Sequence, residues 1–289
     1  MRKFVYTIEE KDDNRTVENF LRQEKGYSRR IITRLKLSKE DISLNGGHIK
    51  MIDSLHTGDV LTTILREETG VKPNYELTVP IVYEDEDVIV YNKPPFMPIH
   101  PSNGHLEDTL GNVFCAHMQK LGIDAAFHPI NRLDRDTSGL CVVAKNSLAT
   151  RMLFDNMTKE YTAIVCGKVI PKIGKIDAPI MRLSGSKIQR CIGDEGQRAV
   201  TNYKVELETA KYSLVRVNLE TGRTHQIRVH FAHIGNPLAG DSMYGGDMND
   251  INRQALCCSR VGFMHPIMNK CIHLCIDIQS DMYKLVQNE

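Results

Sequence analysis

The stretch His128-Pro-Ile-Asn-Arg-Leu-Asp-Arg-Asp-Thr-Ser-Gly-Leu-Cys-Val-Val-Ala-Lys145 decides how the chain is read, because a loop dense in charge runs straight into an apolar strand. Arg132, Asp134, Arg135 and Asp136 crowd together before Gly139, and residues 140–144 supply core strand at once. A loop anchored by the strand that follows it holds its charges in position instead of letting them move freely in solvent. On the residues alone two readings stay open, a functional site and a surface turn of alternating charge.

The rest of the chain bounds the choice. Its 289 residues suit two unequal domains better than one. A net charge of +1 gives no strong overall field, so a nucleic-acid partner would have to be met by basic residues concentrated locally. The N-terminus turns acidic at Glu9 and Glu10 before a signal segment can form, and no later run is long enough to cross a bilayer. The expectation is a soluble, cytoplasmic monomer whose eight cysteines are reduced thiols.

A metal site is tested and not expected. Cys271, His273 and Cys275 alternate with apolar residues as on a strand, which separates same-face side chains by roughly 6.5–7 Å. With Cys257, Cys258 and His265 they contain no Cys-x-x-Cys pair. His225, His230 and His233 are spaced by five and three residues rather than the four of a helical zinc pair, and Arg223 and Arg228 would repel a cation.

Upstream, residues 1–72 read as a small module. Val17, Phe20, Leu21 and Glu24 have helical spacing, Gly26-Tyr27 stops that helix, and Ser28 caps a second one running to about Leu37. Asn45-Gly46-Gly47 turns between strands at 41–44 and 48–52, and a further strand covers 60–65. The second helix carries Arg29, Arg30 and Arg34 with no acidic residue among them, and Arg30 and Arg34 share a face, so an external anion is expected there. Residues 73–80 form a linker and 81–289 the larger domain, with a helix at 109–121, a helix at 147–157, a strand from Lys159, and a hairpin of 199–208 with 212–220.

Asn131-Arg-Leu-Asp-Arg-Asp-Thr-Ser-Gly-Leu140 resembles the catalytic motif of the RluA/RluD-type RNA pseudouridine synthases, which usually have His at the position of Asn131. Three more stretches resemble that family: the strands ending in Asn92-Lys93-Pro94 and reaching His100-Pro101; Lys159-Glu-Tyr-Thr-Ala163; and Thr221-Gly-Arg-Thr-His-Gln-Ile-Arg228, followed by Gly240-Asp-Ser-Met-Tyr-Gly245. Cys257 stands where the family usually has another His. The pattern Gly26-Tyr-Ser-Arg29, Ile42-Ser-Leu-Asn-Gly46 and Gly58-Asp59 resembles the S4 RNA-binding module that often precedes the synthase domain.

The resemblance implies an α/β (α+β) fold, a mixed, mostly antiparallel central sheet with an active cleft across it, plus a flexibly tethered S4-like module. It implies an isomerase acting on uridines in structured RNA, ribosomal RNA before transfer RNA, without metal or cofactor. Asp134 takes the place of the catalytic carboxylate, Arg228 of the cation that keeps it ionised, and Tyr161 of the ring that holds the detached uracil and assists at C5. Arg132, Arg135 and Arg223 become phosphate or base-flipping contacts, and Arg29, Arg30 and Arg34 RNA contacts of the module. Whether Asp134 attacks the sugar, attacks the base or removes a 2′ proton stays open. Other readings are a non-catalytic RNA-binding ribosome-assembly factor and a zinc-dependent nucleic-acid protein.

Overall fold

The computed structural model describes residues 1–67, 70–154 and 156–287. The N-terminal unit is a four-stranded antiparallel sheet in the order β1-β4-β2-β3, formed by β1 (Arg2–Thr7), β2 (Ile42–Leu44), β3 (Gly47–His48) and β4 (Val60–Leu65). A helical segment, α1 (Val17–Asn19) continued by a wider π-helical turn (Phe20–Glu24), and α2 (Arg29–Leu37) pack on it. Ser28 accepts from the Ile31 N–H and starts α2 as its sequence requires. The expected strand at 48–52 stops at His48, and beyond it the backbone turns to α1, the Met51 and Asp53 carbonyls accepting from the Glu18 and Val17 N–H groups at 2.9 and 3.0 Å. Strand β1 has no counterpart in the sequence reading.

The larger unit is built on β5 (Ile81–Glu84), β6 (Val88–Lys93), β7 (His128–Pro129), β8 (Ser138–Ala144), β9 (Met157–Cys166), β10 (Ile173–Asp177), β13 (Val200–Glu208), β14 (Tyr212–Leu219), β15 (Leu256–Met264) and β16 (Cys271–Cys275). These ten strands make one sheet in the order β10-β13-β14-β9-β15-β8-β6-β5, with β7 on β8 and β16 on β15. A separate hairpin, β11 (Ile180–Arg182) with β12 (Arg190–Ile192), stands off it. Among the described strands only β8 and β15 run parallel; every other pairing is antiparallel. Helices α3 (Leu110–Lys120), α4 (Ser147–Phe154), α5 (Gln226–His233) and α6 (Ser280–Gln287) complete the unit.

β8 is buried along its whole length, which is why it reads as an unbroken apolar run rather than an alternating one. Gly139 is required where β8 meets β15: its φ of 114° is left-handed, and a Cβ there would strike the backbone of Cys258. α4 is shorter than expected, ending at Phe154, and β9 begins two residues earlier than Lys159.

The N-terminal unit is docked, not flexibly tethered. Leu148 of α4 enters its core, Arg2 grips Asp87 through two hydrogen bonds of 2.9 and 3.0 Å, and Arg34 reaches Ser147 Oγ at 3.3 Å. Beyond it, Val71 and Leu77 pack on the main core and Val79 is buried. Glu67 sits in the joint, accepting from the Ser147 N–H at 2.9 Å and from Arg34 at 3.4 Å, with His128 Nε2 3.8 Å away. Burial opposes its ionisation, but His128, the two donors of Ser147 and the Arg34 charge outweigh burial and hold its pKa down at about 2.

A carboxylate depressed in the folded state contributes fully above its ordinary pKa of 4.5 and loses that contribution as pH falls toward 2. Glu67→Gln should lower stability at neutral pH by about 2 kcal/mol. The variant's melting temperature should also fall less than the wild type's on acidification through that window, and parallel acid profiles would show that Glu67 does not hold the joint.

Candidate active site

The loop between β7 and β8 is fixed from several sides. The Asn131 amide spans the β8 backbone, donating to the Leu140 carbonyl and accepting from the Val142 N–H, both at 2.8 Å. That two-point clamp is what the departure from His supplies here. Lys93, at the end of β6, is fully buried, and its ammonium bonds the carbonyls of Pro94 and Met97 at 2.8 Å and of Arg135 at 3.0 Å. Burial pushes its pKa down to about 8. Arg253 reaches the Asp136 carbonyl while its fork grips Asp281 of α6, and Gln254 donates to the Thr137 hydroxyl.

Asp134 emerges from this held loop toward Arg228 of α5. Arg228 Nη1 donates to Asp134 Oδ2 at 3.0 Å, but the fork of the guanidinium is committed elsewhere. Nε and Nη2 bind the two carboxylate oxygens of Asp241 at 2.7 and 2.8 Å, in a setting where Asp241 is only 1% exposed. Burial alone would weaken the Arg228 charge, yet the ion pairs with Asp241 and Asp134 raise its pKa well above its usual value. Asp241 therefore takes the bidentate contact of the guanidinium, and Asp134 receives a single donor from it, on Oδ2.

Tyr244, three residues beyond Asp241, lies under the guanidinium, with its ring centroid 5.0 Å from Arg228 Cζ. Its hydroxyl accepts from the Arg190 N–H at 3.0 Å and shares a proton with His225 Nδ1 at 2.8 Å. His225 precedes α5 in a left-handed conformation, φ 57°, which turns Nε2 to within 3.8 Å of Asp134. Burial, with Arg228 nearby, lowers the His225 pKa despite the opposing pull of Asp134, so that contact joins a neutral imidazole to a carboxylate and is no ion pair.

A cleft of about 490 Å³ opens on this group, lined by Asp134, Tyr161, Arg132, Arg223, Leu219 and Phe154 among others. Asp134 is the only carboxylate among its described lining residues. Tyr161 on β9 is buried, and burial first, then Cys258 and Asp134, pushes its phenol well above the usual value. The ring therefore meets the cleft protonated at neutral pH, and any part in removing a proton falls to a neutral hydroxyl rather than a phenolate.

The expected residues separate into those brought together and those not. Asp134, Tyr161, Arg228, Arg132 and Arg223 share the cleft. Arg135 turns outward and is neutralised by Asp136 at 2.7 and 3.1 Å. Arg29 and Arg30 are exposed on α2, whereas Arg34 is spent on Glu67 and Ser147 rather than left for an anion. Cys257 faces the apolar cluster under α6, away from Tyr161, and burial raises its thiol pKa to about 11. Among the described residues no group of three or more His, Cys, Asp or Glu could hold a metal ion. From the sequence alone no role follows for Lys93, His225, Asp241, Tyr244 or Arg253, although the first four lie within stretches already singled out.

Residues 87–233 match the model of the RNA pseudouridylate synthases. The chain belongs to that family. It is therefore an RNA pseudouridine synthase, an isomerase whose substrate is RNA. It is 38% identical to YjbO of Bacillus subtilis, described as an uncharacterized RNA pseudouridine synthase, over 92% of this chain and 96% of that one. To ribosomal large subunit pseudouridine synthase D of Vibrio cholerae it is 34% identical, covering 88% and 85%. The structure of human RNA pseudouridylate synthase domain containing 1 matches with a TM-score of 0.58 at 27% identity over 72% of this chain and 86% of the human one. The span matched to the family contains Asp134, Tyr161 and Arg228 and ends before Asp241. No described helix of this synthase is long and apolar enough to cross a membrane.

Because Asp241 is buried, Arg228→Met would strand its charge and should destabilise the fold by about 3–5 kcal/mol. Asp241→Asn should cost less, and the double variant clearly less than the sum of the two. Urea unfolding of the four proteins measures this coupling; strictly additive losses would mean the fork and carboxylate do not act as a unit.

Proposed function

We propose that Asp134 is the catalytic carboxylate of this synthase and that its target lies in structured ribosomal RNA of the large subunit. The observation that carries the first part is that Asp134 is the only carboxylate among the described residues lining the cleft and is held there by Arg228 through one oxygen. Converting uridine to pseudouridine breaks N1–C1′, turns the base, joins C5 to C1′ and releases the C5 proton. That sequence needs a carboxylate at the reacting face and a surface to retain uracil while it turns. In this reading Asp134 supplies the carboxylate and Tyr161 the surface. Arg228 holds Asp134 aimed when bound RNA excludes water, a task suited to a guanidinium because its own charge cannot be titrated away.

A stacked uridine must be flipped out to reach Asp134, and Arg132 and Arg223 at the cleft are the contacts for the displaced backbone. The large-subunit target is supported by relatives named as ribosomal large subunit pseudouridine synthase D, at 34–38% identity. Residues 1–72 act as an S4-like RNA-binding module through Arg29 and Arg30. The enzyme works as a monomer in the cytoplasm.

Mapping pseudouridines in ribosomal and transfer RNA from cells with the gene, without it, and with Asp134→Asn tests both parts. The expected pattern is a large-subunit site present only with the wild-type gene, while purified Asp134→Asn binds RNA as tightly as wild type. Turnover by that variant would overturn the catalytic assignment, and a missing site in transfer RNA alone would overturn the target. With Arg34 engaged in the joint, two arginines remain for phosphates, so Arg29→Ala/Arg30→Ala should reduce the salt slope of log K by about 1.4, at ~0.7 per single-strand contact. An unchanged slope would return both to solvent.

A further inference from the structure

Residues 94–100, between β6 and α3, carry a feature that the reaction does not use. Phe96 has a φ of 63°, in the left-handed region that a bulky side chain occupies only at a cost, and the residue is 49% exposed. Glycine would relax the backbone and a polar side chain would suit the water, so neither local strain nor solvation favours phenylalanine here. The segment is nevertheless rigid. Met97 and Ile99 are buried in the main core, and the Lys93 ammonium holds the Pro94 and Met97 carbonyls at 2.8 Å.

The same ammonium bonds the Arg135 carbonyl, one residue from Asp134, and so joins this arch to the loop that presents the carboxylate. At the other end of the arch His100 is close enough to Arg132 that burial, then the Arg132 charge, lowers its pKa. Through that Lys93 contact the arch is tied to the loop whose Arg132 and Asp134 line the cleft, outside the cleft's own lining, and it offers an exposed aromatic face to an RNA entering there. Every base has a flat apolar face that can cover such a ring, whatever its sequence.

We propose that Phe96 is a stacking platform for a base of the substrate RNA next to the flipped uridine. The proposal rests on the reading of the Asp134 cleft as the uridine site. Ring and base exclude water from each other, and the fixed arch holds the ring in place before RNA arrives, so little ordering is left to occur on binding.

The chain contains no tryptophan, so Phe96→Trp introduces a single indole whose emission reports stacking directly. Total RNA from cells lacking the gene is the probe, since it holds the unmodified target whichever RNA that is. The indole should be quenched as this RNA is added, and Phe96→Trp should keep the half-saturating RNA concentration of wild type. Phe96→Gly should raise that concentration about five- to a hundred-fold, the range for one lost base stack, with the loss in half-saturation rather than in the saturated rate. Its melting temperature should not fall, because the left-handed backbone is relieved. Half-saturation by Phe96→Gly equal to wild type, or an indole unquenched at saturating RNA, would overturn the proposal. Turnover by Asp134→Asn would strike the active-site reading instead, and leaves the quenching measurement to decide Phe96 by itself.

Discussion

One guanidinium shared between two carboxylates sets the geometry of this site. The fork of Arg228 is closed on Asp241, which is almost wholly buried, and the remaining Nη1 donor points at Asp134. A bidentate pair fixes the plane of the guanidinium as well as its position, so the direction of the third donor is decided before substrate binds. Asp134 meets that donor because its own loop is held independently by Asn131, Lys93 and Arg253. Two rigid pieces of chain, 94 residues apart at the contact, are thus brought to 3.0 Å by restraints that do not involve RNA.

Much of this was legible in the sequence, and for physical reasons. The charged loop announced itself because β8 behind it is buried on both faces and cannot be mistaken for surface. Asp134, Tyr161 and Arg228 lay in quoted stretches, and the mixed, mostly antiparallel sheet followed from the resemblance. Asp241 was not legible as the partner of Arg228, because only the turn after α5 brings residue 241 back under residue 228. Lys93 was equally hidden: its ligands are three backbone carbonyls, and carbonyls carry no sequence signal. The helix boundary at Phe154 and strand β1 were missed for the ordinary reason that short elements depend on partners far away in the chain.

The basic residues show the same limit from the other side. Arg29, Arg30 and Arg34 looked equivalent on the helix, yet Arg34 is used inside the chain by Glu67, whose place in the joint no local pattern reveals. Arg135 and Arg132 are separated by three positions, but Asp136 neutralises the first, while the second lines the cleft without an ion pair to any described residue. Charge in a sequence gives the supply of cations; only the fold divides them between holding the protein together and meeting RNA. The docked N-terminal unit follows from that division, since Arg2 and Arg34 both serve the joint.

The most direct test of the shared guanidinium is the single-turnover rate of pseudouridine formation by Asp241→Asn, measured beside its RNA affinity. Asp241 is buried against Arg228 and is not among the described residues lining the cleft, so it acts on the reaction from behind, chiefly through the aim and charge of that side chain. The predicted result is a rate lower by on the order of a hundred-fold, the cost of a misplaced catalytic group, with affinity for RNA unchanged. A wild-type rate in the folded variant, or a loss confined to RNA binding, would contradict it.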